Sequence, residues 1–192
     1  MEKKYIITLA GKLGSGKSST ANRLAELLGY ERASTGDFMR SMATQKDITL
    51  SELGIIAEND PTFDIALDNY NKEIGTKENI VLDSRLGFYF IPESFRVFLE
   101  LDPHIAAERI LADALSNPNR NRESRGGFDT VEGIVSATSN RLESERKRYK
   151  ELYGITNHTD HANFDLVINT GTKPLEDVAQ MIVVEYKKWL EM

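Results

Sequence analysis

Residues 5–18 read Tyr5-Ile6-Ile7-Thr8-Leu9-Ala10 and then Gly11-Lys12-Leu13-Gly14-Ser15-Gly16-Lys17-Ser18. The first six residues form a short apolar run suited to a buried strand. The next eight match G-x-x-x-x-G-K-[ST]. Glycines permit backbone conformations that other residues resist, so successive N–H groups can converge on one anion. The helix expected over Lys17–Leu28 adds the positive end of its dipole at the same point. In such a cradle Lys17 sets a cation between two phosphates, and Ser18 offers a hydroxyl to Mg²⁺. The position of the motif, after a strand and before a helix, separates it from an ordinary glycine turn.

Working outward, short apolar runs alternate with helical patterns, which predicts a parallel α/β sheet. Ala21, Leu24 and Leu28 fall at helical spacing, with Gly29 as the stop. Further strands are expected at Ile80–Asp83, Phe95–Leu101 and Asp165–Asn169, with a weaker one at Glu31–Ser34. Thr49 and Glu52 form a capping-box pattern, and Asp60-Pro61 reads as a helix start. The helix after it carries an apolar stripe of Phe63, Leu67, Tyr70 and Ile74, with Asp64, Asp68 and Asn71 on another face. Asp129 and Glu132 repeat the capping pattern before a helix reaching about Leu152. Pro174 opens a last helix whose stripe is Leu175, Val178, Ile182, Tyr186 and Trp189. Ser116–Phe128 is polar and glycine-ended and reads as a mobile loop.

Composition narrows the class. The chain has 192 residues, 40% hydrophobic and 28% charged, and no cysteine, which excludes disulfides and thiolate metal sites. A single compact domain in a reducing, cytoplasmic setting is the expectation. No stretch approaches the ~20 apolar residues of a membrane span. The net charge of −6 is uneven. Residues 47–79 hold eight acids against two lysines, while residues 116–150 hold eight bases against five acids. An acidic protein with one basic element suits a small polyanionic ligand better than nucleic acid.

Three features point to a second, smaller substrate. Asp83 ends a buried strand, where parallel sheets bind ligands, and can reach Mg²⁺ through water. The loop Ser34-Thr35-Gly36-Asp37-Phe38-Met39-Arg40 leads into a helix with an arginine one turn in, suited to a phosphate. Arg141, Glu145 and Arg148 share one helical stripe, with Glu145 placed to orient both guanidiniums. Positive charge gathered around a transferring group is what phosphoryl transfer needs. The plain alternative for that stripe is a solvated row of ion pairs. The His158-Thr159-Asp160-His161 stretch reads as a polar loop rather than a metal site.

The segments GKLGSGKSS, STGDFMR, AENDPTFDIALD, NIVLDSRLG, RLESERKRYKELYGI and FDLVINT span nearly the whole chain, which through them resembles the nucleoside monophosphate kinase group. It is most similar to the short form of cytidylate kinase. The resemblance implies a three-layer P-loop kinase fold with a five-stranded parallel sheet, an acceptor-nucleotide lobe at about 36–78 and a lid at about 115–150. It implies ATP and Mg²⁺ as cofactors at the loop, with Gly11, Gly14, Ser15, Gly16, Lys17, Ser18 and Ser19 around the phosphates. Ser34, Asp37, Arg40 and Arg85 are then expected to face the acceptor, and Arg141, Glu145 and Arg148 to form a catalytic cluster with Lys17. The resemblance favours CMP or dCMP as acceptor; cytosine offers an amine donor, so Asp64 or Asp68 are candidates to read it. Asp113 stands where the pattern has a basic residue, so Arg109, or Arg120 to Arg125, is expected to replace an adenine contact. The protein is taken as a monomer. Other acceptors (AMP, UMP, a small metabolite) and a non-catalytic nucleotide-binding assembly factor remain as alternatives; the retained Arg40, Arg85, Arg141 and Arg148 favour an enzyme.

Overall fold

In the computed structural model residues 2–57, 60, 62–116 and 130–192 are described. Five parallel strands, β1 (Ile6–Gly11), β2 (Glu31–Ser34), β3 (Ile80–Asp83), β4 (Phe95–Glu100) and β5 (Leu166–Asn169), lie in the order β2-β3-β1-β4-β5. The helices are α1 (Lys17–Leu28), α2 (Thr35–Gln45), α3 (Leu50–Ala57), α4 (Thr62–Ile74), α5 (Gly87–Phe90), α6 (Pro103–Ser116), α7 (Val131–Tyr153) and α8 (Leu175–Glu191). The parallel α/β sheet expected from sequence is present, including the weak strand at 31–34.

The sheet is apolar on both faces, as a parallel sheet covered by helices must be. Ile7, Leu9, Val81, Val97 and Leu99 face one layer, where α1 contributes Ala21 and Leu24 and α8 contributes Val178, Ala179, Ile182, Val183 and Tyr186. Ile6, Ile80 and Leu82 face the other, against Ile74 of α4 and Ile91. Each such side chain, fully buried, contributes about 1.5–3 kcal/mol. A separate cluster of Ala43, Leu53, Ala57 and Phe63 holds α2, α3 and α4 together. α4 joins this cluster to the sheet, since Phe63 packs in the small cluster and Ile74 against Ile6, Ile80 and Leu82.

Local chemistry sets the ends of the elements. Gly29 stops α1 in the left-handed region at φ 69°. Thr49 and Glu52 make the expected capping box, Thr49 N donating to Glu52 Oε2 (2.7 Å) and Glu52 N to Thr49 Oγ1 (3.2 Å). Asp60 Oδ1 accepts from Thr62 N at the start of α4 (3.0 Å); Pro61 lies outside the described residues. The cap of α7 is Thr130, which accepts from Gly133 N (3.1 Å); the expected cap Asp129 lies outside the described residues. The pattern puts Leu175 on the core stripe of α8, but as the first residue of the helix it is 44% exposed, while Val178, Ile182 and Tyr186 of the same stripe are buried. Of the expected loop Ser116–Phe128 only Ser116 is described, as the last residue of α6.

Candidate active site

β1 and β3 are neighbours, so the loop after β1 and the end of β3 meet at one edge of the sheet. Gly14 (φ 74°) and Gly16 (φ 84°) take the left-handed conformation between Gly11 and α1. A Cβ on Gly14 would stand 2.8 Å from the carbonyl of Ala106, whereas at Gly16 the space is open. The loop is braced from below: Ser15 Oγ donates to Lys12 O (2.7 Å), and the buried Thr170 Oγ1 donates to Ser15 O (3.1 Å). Lys12 pairs with Glu100, which also meets His161 Nε2 at 3.0 Å. Ser19 is exposed at the first turn of α1.

Lys17 folds back over the loop, donating from Nζ to Gly11 O (2.9 Å) and Lys12 O (2.8 Å). Burial, reinforced by the Arg85 guanidinium, pulls its ammonium down to about 8. Asp83, Glu145 and Arg141 also act on it, so the groups that sequence placed far apart share one electrostatic site. Ser18 Oγ donates to Asp83 Oδ2 (2.9 Å). A hydroxyl and a carboxylate so close are hard oxygen donors that fit Mg²⁺.

Beside this edge lies a cavity of ≈ 460 Å³ whose lining includes Asp64, Asp68, Asn71, Arg85, Arg141, Glu145, Arg148 and Tyr153. Glu145 is 8% exposed and carries two cations: Arg141 Nε donates to Oε1 (2.9 Å), and Arg85 Nε lies 3.1 Å from Oε2. Burial alone would raise the Glu145 carboxyl, but Arg85 and Arg141 hold it below the usual carboxylate range. Arg148 is not oriented by Glu145 as its spacing suggested. Its Nε turns to Asp64 Oδ1 at 3.6 Å, because α4 brings a carboxylate closer on that side.

Asp64 and Asp68 do not lie on a solvated face. Asp64 is 6% exposed, and burial raises its carboxyl against the opposing pull of Arg148. Asp68 Oδ1 accepts from Tyr153 OH (2.7 Å), tying α4 to α7. Asn71 is buried as well and accepts from Ser84 Oγ (3.0 Å). Arg148 and Tyr153 of α7 supply the partners of Asp64 and Asp68, and Ser84, just after β3, supplies that of Asn71.

Other expected residues lie outside the cavity lining. Ser34 caps α2, its Oγ accepting from Asp37 N (3.2 Å). Asp37 pairs with Arg40 and accepts from Arg32 Nη1 (2.8 Å). None of these three lines the cavity. Arg109 Nη2 donates to Thr170 O (2.8 Å) and Gly171 O (3.0 Å), which fastens the turn after β5 beside the loop. Arg120 to Arg125 lie outside the described residues. Sequence reasoning missed Tyr153, Thr170 and His158; the last is 3% exposed, in the turn between α7 and β5.

Comparison with known proteins adds the lineage. The family described as AAA domain matches residues 7–126. A cytidylate kinase of Methanocella arvoryzae is 36% identical over 178 residues, covering 92% of this chain and 94% of the relative. The chain belongs to the nucleoside monophosphate kinase group of P-loop kinases. The chain also matches an S-adenosylmethionine-dependent nucleotide dehydratase of Lacinutrix mariniflava, 33% identical over 187 residues. That match covers 96% of this chain and 36% of the relative, so the chain spans about a third of the dehydratase's length. The fold is shared with a shikimate kinase from Bacteroides thetaiotaomicron (TM-score 0.65, 16% identity, 97% of this chain and 98% of that one). Among the described residues no helix is long and apolar enough to cross a membrane.

Proposed function

We propose that the protein transfers the γ-phosphate of ATP to a nucleoside monophosphate, with CMP and dCMP the preferred acceptors. The observation that carries this reading is the gathering of Lys17, Arg85, Arg141 and Glu145 at one edge of the sheet, where Arg148 and Asp64 line the adjoining cavity. A second reading, a binding factor without turnover, gives no reason to gather so many cations around empty space.

On this reading the N–H groups of residues 14–19 hold the triphosphate, and Lys17 leaves the Gly11 and Lys12 carbonyls for the β- and γ-phosphates. An oxygen of the acceptor's phosphate attacks the γ-phosphorus. The new P–O bond forms as the bond to the β–γ bridging oxygen breaks, and ADP departs with that electron pair. Arg85 holds the acceptor's phosphate, and Lys17, Arg141 and Arg148 neutralise the three equatorial oxygens, the chief electrostatic need of such a transfer. Ser18, and Asp83 through water, would hold Mg²⁺, which supplies further positive charge at the phosphates.

The buried Asp64, with Asp68 beside it, suits the exocyclic amine of cytosine better than the carbonyl of uracil. Ser34, Asp37 and Arg40 stand at the acceptor end and Arg109 at the adenine end. Residues 1–192 then form one kinase domain with an acceptor lobe at about 36–78 and a lid at about 115–150, acting as a cytoplasmic monomer. The test is ADP release from ATP with CMP, dCMP, UMP, AMP and shikimate as acceptors. We expect CMP and dCMP to be turned over fastest. Fast AMP with both cytidylates inert would overturn the assignment of the base, and no acceptor at all would overturn the kinase.

A further inference from the structure

Glu145 is asked to hold two arginines, and one of them has to move. Its Oε2 has Arg85 Nε at 3.1 Å and, behind it, His158 Nε2 at 3.7 Å. His158 is 3% exposed, its ring stands edge-on to Tyr149 at 5.0 Å, and among the described residues its Nδ1 has no hydrogen-bond partner. The turn that carries it is fixed in place. Arg146 Nη2 donates to Asn157 Oδ1 (3.3 Å) and Thr159 Oγ1 (3.4 Å), and Thr159 N donates to Asn157 Oδ1 (3.3 Å). An apolar side chain would fill this space without burying an unpaired nitrogen, so packing alone does not account for an imidazole here.

We propose that His158 is a positioning residue that takes over Glu145 Oε2 when Arg85 swings to the acceptor phosphate. This rests on the phosphoryl-transfer reading above. Arg85 cannot give its full charge to a phosphate while pinned to Glu145, yet withdrawing it leaves a buried carboxylate oxygen without its nearest donor. A closure of about 1 Å brings His158 Nε2–H into hydrogen-bond range of that oxygen. Glu145 then stays ionised and in place, and Arg141 keeps its orientation through Oε1 during transfer. The groups facing His158 among the described residues are Glu145, Arg146 and Tyr149 from α7 and Arg85 from the loop after β3. Burial pushes the imidazole down to about 4, Glu145 works in the opposite direction, and Arg85 and Arg146 add to the lowering. The ring is therefore neutral near pH 7, and loss of Arg85 from its side favours the proton.

Two measurements on the full chain test this. The first titrates the His158 ring by NMR in the wild type and in Arg85→Met. We expect a neutral Nε2–H tautomer in the wild type and a pKa higher by about one unit or more in Arg85→Met. Equal pKa values, or an Nδ1–H tautomer, would overturn the proposal. The second compares His158→Gln, which keeps a neutral donor, with His158→Leu, which keeps only bulk, using ATP and CMP. We expect kcat to fall about tenfold or more in His158→Leu with the KM for ATP unchanged, and to return to within about threefold in His158→Gln. Equal kcat in the two variants at matched Tm would overturn it. A wild type inert toward every nucleoside monophosphate sinks the kinase reading instead, and the NMR comparison still decides the role of His158.

Discussion

Ser18 Oγ donates to Asp83 Oδ2 across 2.9 Å, joining the first turn of α1 to the last residue of β3. The contact exists because β1 and β3 are adjacent parallel strands whose C-terminal ends emerge side by side. It brings together the two oxygen donors on which the account places Mg²⁺.

Removing either donor is therefore expected to act through the metal. Ser18→Ala and Asp83→Asn should each lower turnover by about 100-fold or more at 1 mM Mg²⁺, on the scale of losing one charge stabiliser. Part of the loss should return as Mg²⁺ is raised, which a metal titration of the initial rate checks. A rate unchanged at low Mg²⁺ would take that residue out of the metal site.

Lys17→Ala and Arg148→Ala should each cost at least ~100-fold in kcat, again the loss of one cation from the transferring group. The two differ in what they release. Lys17 leaves only backbone carbonyls behind, whereas Arg148 leaves Asp64 buried without its ion-pair partner. Arg148→Ala should therefore also alter the KM for the acceptor, and steady-state kinetics in both substrates separates the two effects.

The loop glycines should divide by sterics. Gly14→Ala would push a Cβ to 2.8 Å from Ala106 O at a positive φ, so strain and clash combine. Gly16→Ala meets no atom within 4 Å and carries only the left-handed penalty, roughly 1–2 kcal/mol. Thermal unfolding should rank Gly14→Ala as the less stable of the two.

His158 gives stability a defined pH dependence. Its folded pKa of about 4 lies below the unfolded value of 6.5, so above pH 6.5 neither state takes the proton and the fold is not penalised. As pH falls from 6.5 toward 4 the unfolded chain binds a proton that the folded one refuses, and stability is lost. Between pH 7 and 5 the wild type should lose about 2 kcal/mol more than His158→Gln, from ~1.4 kcal/mol per pKa unit. Denaturant unfolding of both at the two pH values measures the difference.

Local pattern told a good deal of this from sequence, and its limits have a physical cause. The loop at 11–18, the stop at Gly29, the capping box at Thr49 and Glu52 and the buried strands are all written in neighbouring residues, and so is the Arg141-to-Glu145 pair one turn apart on α7. The inward turn of Asp64 is not. Helical periodicity assigns a carboxylate to solvent unless a partner is known, and the partner, Arg148, comes from a helix far along the chain. The same holds for Asp68 with Tyr153 and for Arg85 with Glu145. The stretch from His158 to His161 reads as a polar loop, and only the packing of that turn against α7 shows His158 buried.

On the proposed reading a phosphate moves from ATP to another phosphate. Following ATP, Mg²⁺ and CMP with the wild-type protein by ³¹P NMR tests it most directly. The γ-phosphorus signal should vanish as ADP and CDP resonances grow in equal amounts. ADP accompanied by free inorganic phosphate, or a spectrum that does not change, would contradict it.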